Sequence, residues 1–176
     1  YGFPMGSFAM MDLVGLDVIG WDREASAGRT VQEILCEAGH WGQKTGIGYY
    51  EYGPQGQVEP SRAAVEAIET IRARAGVSQR PRSDAELLNE LLDPVVNESV
   101  RLLDEGIALR ASDIDMALVA GYGWPVYQGG PMFWGDTVGL QGIVDRLKAR
   151  IAAGEAIVLS PLLERYAAEG RRFVRD

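Results

Sequence analysis

Apolar residues recur at spacings of three and four along most of the chain, which is the period of helices that bury one face. Where the pattern is interrupted, glycine, proline or a small polar residue stands at the break, as at helix ends. The pattern predicts helices at 8–21, 30–38, from Ser61 onward, from a cap at Ser112 to about Gly121, and at 132–140, 141–152 and 161–168.

The longest predicted helix begins after Ser83. Ser83 and Glu86 have the spacing of a capping box, in which each side chain bonds the backbone of the other. Apolar positions then continue from Leu87 to Ile107. Pro94 lies inside this run, and because proline lacks an N–H group we expect it to kink the helix or to divide it in two.

The segment 40–60 carries no helical pattern. A short extended piece is expected at 47–52, but no segment is long enough to build a sheet. Strands do not alternate with helices anywhere in the chain, which excludes a parallel α/β fold. The predicted fold class is therefore all-α.

An internal repeat divides the chain. The two copies share a Tyr-Gly-aromatic-Pro corner, then a phenylalanine (Phe8 or Phe133), then Asp-x-Val-Gly-Leu, with three more residues between the corner and the aspartate in the second copy. A duplicated helical unit explains this order. Two predicted helices precede the second copy and none precedes the first, so we expect a first unit truncated at its N-terminus by ~35 residues.

Asp12 and Asp136 occupy equivalent places in the two copies. Two roles are open: a catalytic carboxylate, or a structural residue that forms hydrogen bonds within its helix. The duplication favours the structural role, since an active site rarely needs the same carboxylate twice.

The composition narrows the possible partners. A net charge of −8 argues against a nucleic-acid ligand, which requires a cationic surface. The chain contains no apolar run of membrane-spanning length, and its one cysteine, Cys36, fits a reducing compartment. We therefore expect a cytoplasmic protein. Cys36 could be a nucleophile, but a small buried apolar residue is the favoured interpretation.

The single histidine, His40, lies close in sequence to Glu37. A His–Glu dyad is one interpretation, and a histidine at a helix end is the favoured one. One histidine and one cysteine do not supply the ligands of a typical zinc site. We expect no metal.

Several ordered motifs resemble the C-terminal domain of 3-hydroxyacyl-CoA dehydrogenases. The resemblance extends over nearly the whole chain, through Tyr1-Gly2-Phe3-Pro4-Met5, Gly42-Gln43-Lys44-Thr45-Gly46-Ile47-Gly48-Tyr49-Tyr50, Val96-Asn97-Glu98, Asp113-Ile114-Asp115 and Gly129-Gly130-Pro131-Met132-Phe133. The presence of two units is typical of the multifunctional β-oxidation proteins, in which an enoyl-CoA hydratase domain accompanies the dehydrogenase.

The resemblance implies a fold and an organisation. The fold is that of the 6-phosphogluconate dehydrogenase C-terminal domain, with two related helical units of which the first is truncated. The expected divisions are residues 1–60 for the first unit, 61–82 for a connecting helix and linker, and 83–176 for the second unit.

The resemblance also implies a function. Family members oxidise L-3-hydroxyacyl-CoA to 3-ketoacyl-CoA with NAD. The catalytic histidine and glutamate and the Gly-rich nucleotide turn belong to an NAD-binding domain that is not in this sequence, so catalytic and cofactor-binding residues are expected to be absent and the fragment inactive. Phe3, Pro4 and Met5 are expected to line the acyl end of the substrate cleft.

The implied partners are the NAD-binding domain of the same longer chain, the acyl-CoA substrate at the interface between the domains, and a second subunit in a homo-oligomer. The alternative is a stand-alone helical module that binds acyl-CoA or another protein without catalysis, because duplicated helical units also serve as binding domains.

Overall fold

The computed structural model describes residues 2–174, and these form eight α-helices and one small β-hairpin, which confirms the all-α class. The helices are α1 (Ser7–Val14), α2 (Val31–Glu37), α3 (Arg62–Ala75), α4 (Asp84–Asp104), α5 (Ala111–Tyr122), α6 (Pro131–Val138), α7 (Leu140–Ala152) and α8 (Pro161–Glu169). The strands β1 (Tyr50–Tyr52) and β2 (Val58–Pro60) pair antiparallel, with Glu51 opposite Glu59.

The chain divides into two compact units. The smaller unit is Met5–Arg80, and the larger unit is Tyr1–Pro4 together with Pro81–Asp176. In the smaller unit α2 packs against α3, and the core consists of Leu16, Leu35, Cys36 and Ala64. The boundaries 1–60, 61–82 and 83–176 that the family resemblance implies stay a prediction.

The larger unit has the larger core. There α6 packs against α4 and α5, and α7 packs against α8 and α4. The side chains buried between these helices include Val96, Val100, Trp124, Met132, Ile143, Leu147 and Leu163. Burial of this apolar surface is the main source of stability of the unit.

The capping residues predicted from the sequence are mostly confirmed. Ser83 and Glu86 form the reciprocal capping box at the start of α4, and Ser61 accepts the Ala64 N–H at the start of α3. Pro161 occupies the first turn of α8. The cap predicted at Ser112 is wrong: the N-cap of α5 is Arg110, two residues earlier, and its side chain forms no capping hydrogen bond.

Two further expectations differ from the structure. The first helix ends at Val14 instead of running to Trp21, because Gly15 turns the backbone to φ 106°, a conformation that glycine adopts without strain. The segment 50–60, expected to hold only one extended piece, forms the antiparallel hairpin.

The helix α4 runs through Pro94 without a break, so of the two outcomes expected at this proline the division into two helices is wrong. Proline cannot donate to the carbonyl of Glu90, four residues earlier. In its place Nη1 of Arg150, on α7, donates to that carbonyl at 2.9 Å. Beside it, Arg146 binds the buried carboxylate of Asp93 in a bidentate pair, at 2.6 and 2.8 Å. Two arginines of α7 thus stabilise α4 around the proline.

The repeat is visible in the structure with a corrected register. Both α1 and α6 are eight residues long, and each ends at a glycine that precedes a buried leucine. Counting back from the ends of the two helices places Asp12 with Asp136, as expected. By the same count Phe8 corresponds to Met132, one residue before the Phe133 with which the sequence motif pairs it.

We expect the Arg146→Ala variant to destabilise the larger unit by about 3 kcal/mol, because it leaves the buried Asp93 carboxylate without its ion pair. The matched control is Lys148→Ala on the same helix, which removes an exposed ion pair with Glu164 and is expected to cost less than about 1 kcal/mol. Urea unfolding followed by circular dichroism measures both, and equal losses would contradict the assignment.

Candidate functional site

The repeated aspartate of α1 is buried and bound by backbone far away in the sequence. The Asp12 carboxylate accepts the N–H groups of Tyr49 and Tyr50, each at 2.9 Å, and the hydroxyl of Tyr52 at 2.9 Å. Burial, and donation of its hydrogen bond to Asp12, raise the pKa of Tyr52 to about 12. The carboxylate therefore closes a loop of 37 residues.

The glycine-rich segment 42–50 wraps around this carboxylate. A Cβ atom on Gly48 would lie 2.2 Å from Asp12 Oδ1, and one on Gly42 would lie 2.3 Å from the Asp12 carbonyl oxygen. No residue other than glycine fits at those distances. Thr45 stabilises the turn from within, since its Oγ1 accepts the Trp41 N–H at 2.9 Å.

The motif lysine is also used structurally. Lys44 forms an ion pair with Asp17, and its hydrogen bond lowers the pKa of the Asp17 carboxyl. The ammonium group lies 5.5 Å from the ring centroid of Trp41. The motif that resembles the family signature thus packs the turn after α2 onto the segment that follows α1.

The equivalent aspartate of α6 makes the equivalent contact. Both carboxylate oxygens of Asp136 accept the Phe173 N–H, at 2.9 and 3.0 Å, and Oδ2 accepts the Val174 N–H at 2.8 Å. The structural role favoured for Asp12 and Asp136 agrees with this geometry. Their partners lie in distant segments, however, so the expectation of bonds within the helix is wrong.

A third carboxylate, Asp115 of α5, binds the start of α6. It accepts the N–H groups of Met132 at 2.7 Å and Phe133 at 3.1 Å. A Cβ atom on Gly130 would lie 2.4 Å from Asp115 Oδ1, which explains the glycine. Burial raises the pKa of Asp115 to about 6, although the two N–H donors oppose this shift.

The corners of the two repeats contact each other within the larger unit. The rings of Phe3 and Trp124 pack edge to face with centroids 5.5 Å apart. A Cβ on Gly123 would meet Pro4 at 2.9 Å, and one on Gly2 would meet Pro125 at 3.1 Å. The two Gly-aromatic-Pro corners therefore pack reciprocally.

Phe3 also lines an apolar cavity of about 310 Å³. The other lining residues come from α4, α5 and the second corner, and are Leu92, Val95, Leu118, Tyr122 and Trp124. Of the residues predicted to contact substrate, Phe3 is thus at this cavity and Pro4 packs on Gly123, whereas Met5 is an exposed residue of the smaller unit. The cavity can accommodate an apolar chain.

The structure gives no support to the His40–Glu37 dyad or to a nucleophilic Cys36. Glu37, the proposed partner of His40, instead accepts the Ser26 hydroxyl at 2.6 Å and the Gly28 N–H at 3.1 Å. Cys36 is buried, and burial raises the pKa of its thiol to about 11, which keeps it protonated and unreactive at neutral pH. Among residues 2–174 no group of three potential ligands is arranged to hold a metal ion.

Two buried polar residues, Asp115 and Asn97, join distant segments in a way that the sequence does not predict. Asp115 accepts from the N-terminus of α6, a helix that begins 16 residues later. The Asn97 amide donates to the Val158 carbonyl at 2.9 Å and accepts the Ser160 N–H at 2.8 Å. No local signal predicts contacts across such distances.

Comparison with known proteins agrees with the repeat. The profile of the 3-hydroxyacyl-CoA dehydrogenase C-terminal domain matches residues 1–52 and 87–173, and each matched range contains one copy of the repeat. The chain belongs to this family. The resemblance seen in the sequence motifs is therefore confirmed.

The curated proteins that are similar to this chain are much longer than it is. It is 34% identical to the peroxisomal bifunctional enzyme of Danio rerio and 36% identical to that of Homo sapiens. The matches cover 97% and 84% of this chain but 27% and 23% of those proteins, so the chain spans about a quarter of their length.

A solved structure agrees with the family fold. The crystal structure of the dehydrogenase part of multifunctional enzyme 1 from C. elegans matches with a TM-score of 0.66 at 26% identity, over 92% of this chain and 38% of that one. In residues 2–174 no helix is both long and apolar enough to cross a membrane.

We expect Asp12→Asn to destabilise the smaller unit by about 2–3 kcal/mol, because an amide NH₂ cannot accept the bonds that one carboxylate oxygen accepts. Tyr52→Phe removes one of the three donors to Asp12 and leaves both remaining N–H donors bound to the carboxylate. A loss of about 1 kcal/mol in the free energy of unfolding is therefore expected. Thermal unfolding of the two variants tests this ranking. A larger loss for Tyr52→Phe would contradict the role assigned to Asp12.

We expect the stability of the larger unit to depend on pH through Asp115. Its pKa is raised in the folded state, so the folded chain holds this proton between pH 4 and about 6 when the unfolded chain has lost it. The contribution is present at low pH and is lost as the pH rises through about 6. From pH 4 to 7 the free energy of unfolding of the unmodified protein should fall by more than that of the Asp115→Asn variant. An equal pH dependence of the two melting temperatures would refute this.

Proposed function

We propose that this chain is the substrate-side and assembly domain of an L-3-hydroxyacyl-CoA dehydrogenase, within a multifunctional protein of fatty-acid β-oxidation. The family match and the long bifunctional relatives support this proposal. The reaction oxidises the 3-hydroxyl group of an acyl-CoA to a ketone. The 176-residue chain by itself is expected to be inactive.

The apolar cavity beside Phe3 is the observation in the structure that carries the substrate-side role. Its lining is wholly carbon-rich, which suits an acyl chain and not a charged ligand. The corner Phe3-Pro4-Met5 is proposed to form the wall of the cleft at the acyl end. The reciprocal packing of the two corners holds Phe3 in place.

The NAD cofactor of the longer enzyme is proposed to bind outside this chain, in a nucleotide-binding domain of the same polypeptide. The glycine-rich segment 42–48 does not fit a pyrophosphate, because the buried carboxylate of Asp12 occupies the space that its glycines leave. A fixed negative charge there would repel phosphate. The proposed partners are thus the NAD-binding domain, the acyl-CoA between the domains, and a second subunit.

The cellular location stays a prediction. The lone cysteine is compatible with the cytoplasm, as expected from the sequence. The named relatives in fish and humans are peroxisomal enzymes. A fluorescent fusion of the full-length polypeptide distinguishes the two locations.

The direct test is a spectrophotometric assay at 340 nm with NAD and 3-hydroxyacyl-CoA. The natural full-length polypeptide should reduce NAD, and the 176-residue chain should not. A full-length polypeptide without this activity would overturn the proposal. If the 176-residue chain by itself nevertheless binds acyl-CoA, the stand-alone binding module becomes the better explanation.

In the full-length enzyme we expect Phe3→Ala to raise KM for 3-hydroxyacyl-CoA about tenfold with little change in kcat, since it removes apolar contact that ground state and transition state share. The control is Leu109→Ala, which removes an exposed apolar side chain that does not line the cavity. An unchanged KM for Phe3→Ala would contradict the acyl-binding role of the corner.

A further inference from the structure

The smaller unit contains a cavity of about 320 Å³ beside the C-terminal end of α2. Its lining includes two aromatic rings, a cation and a carboxylate, which belong to Trp21, Trp41, Arg23 and Glu37. The volume is within the range of small-molecule sites, roughly 300–1,000 Å³. The apolar cavity at Phe3 belongs to the larger unit, so the two cavities share no lining residue.

The indole N–H of Trp21 indicates that this cavity receives a ligand. Its nitrogen atom is buried, and no group among residues 2–174 accepts a hydrogen bond from it. Buried donors without an acceptor are unfavourable and rare in folded proteins. A molecule in the cavity that carries an acceptor atom satisfies this donor.

Glu37 supplies the complementary acceptor. Its Oε1 atom accepts the Ser26 hydroxyl at 2.6 Å and the Gly28 N–H at 3.1 Å. A carboxylate has two oxygens and only accepts, so Oε2 favours an N–H donor on the ligand. One edge of adenine carries the matching pair, an N6 amino group that donates and an N7 atom that accepts. Trp21 and Glu37 thus present the hydrogen-bonding groups that an adenine ring requires.

The two tryptophan rings suit a planar base. Both rings pack against the core of the smaller unit, and Trp41 is held further by donation from its Nε1 to the Cys36 carbonyl at 3.2 Å. Bases of nucleic acids stack on aromatic side chains of this kind. The cavity therefore favours a flat heteroaromatic ring.

Arg23 adds a site for a negative charge. Its side chain is exposed, and the guanidinium carbon lies 5.5 Å from the centroid of the Trp21 ring, which places the charge at the mouth of the cavity. Guanidinium groups bind phosphate through charge-assisted hydrogen bonds. A phosphate attached to the bound ring is therefore expected at Arg23.

The loop between α1 and α2 orders these groups before a ligand binds. Asp22 Oδ1 accepts the N–H groups of the residues two and three positions later, at 2.9 and 3.3 Å. The bonds of Ser26 and Gly28 to Glu37 attach the same loop to α2. Groups that are ordered in advance reduce the entropic cost of binding.

We propose that this cavity binds an adenine nucleotide. The base occupies the cavity beside Trp21 and Trp41, and the phosphate binds Arg23 at its mouth. A free mononucleotide and the adenosine end of coenzyme A share this chemistry. The proposal does not rest on the dehydrogenase function, because none of these residues lines the apolar cavity at Phe3.

Isothermal titration calorimetry with adenosine monophosphate (AMP) tests the site. AMP should bind, and adenosine should bind about tenfold more weakly because it lacks the phosphate. Ribose 5-phosphate should show no measurable binding, because it lacks the ring that stacks.

Two variants assign the contacts. Trp21→Phe removes the N–H and keeps an aromatic ring, so it should weaken AMP binding about fivefold. Arg23→Ala should weaken AMP binding about tenfold and leave adenosine binding unchanged. The matched control is Arg62→Ala, which removes an exposed arginine of α3 that does not line the cavity and should change neither affinity.

The indole N–H signals in nuclear magnetic resonance spectra separate ligand contact from a structural role of the ring. The Trp21 signal is the one missing from the Trp21→Phe variant, and AMP should move it downfield because the N–H gains an acceptor. Arg23→Ala changes an exposed side chain, so the titrations stay decisive if Trp21→Phe does not fold.

An absence of AMP binding at about 10 mM overturns the proposal. AMP binding that neither variant weakens also overturns it. A parallel titration with coenzyme A identifies the source of the ligand: tighter binding than AMP assigns the site to the coenzyme, and weaker binding assigns it to the free nucleotide. None of these measurements involves dehydrogenase activity, so the proposed function stands or fails independently.

Discussion

The fold depends on a buried carboxylate near the end of a short helix that binds backbone N–H groups about 37 residues later, and it does so twice, at Asp12 and Asp136. A buried carboxylate is costly unless its oxygens are bound. Here the donors are backbone N–H groups at the start of β1, for Asp12, and at residues 173–174, for Asp136. These N–H groups in turn gain a side-chain acceptor. Each carboxylate therefore fixes the short helix and the closing segment of its repeat relative to each other.

The glycines of the family motif follow from this constraint. Gly42 and Gly48 stand where the chain passes so close to Asp12 that a methyl group would overlap it. Asp115 imposes the same requirement on Gly130. In each case the glycine is required by the approach of a carboxylate, and not by binding of a phosphate. The glycine-rich segments of this chain that contain Gly42, Gly48 and Gly130 thus mark structural contacts.

Local signals in the sequence predicted local structure well. The capping box at Ser83, the cap at Ser61 and the first-turn Pro161 are each decided by a few neighbouring residues, and all were found. Contacts between distant segments were missed. The support of α4 by Arg150 depends on a carbonyl 60 residues away, so the sequence alone predicted a kink or a division of the helix at Pro94. The cavity at Phe3 likewise depends on helices whose packing a periodic pattern does not specify.

Amide hydrogen exchange tests the carboxylate contacts most directly, because the N–H groups of Phe173 and Val174 lie outside any helix or strand. We predict that they exchange as slowly as amides in the centre of α4, through unfolding of the larger unit, and that Asp136→Asn makes them fast. The N–H groups of Tyr49 and Tyr50 should respond in the same way to Asp12→Asn. The contrary result is that these amides exchange in the unmodified protein as fast as the amides of the exposed linker at 78–80. In that case the carboxylates do not fix the short helix and the closing segment within each repeat.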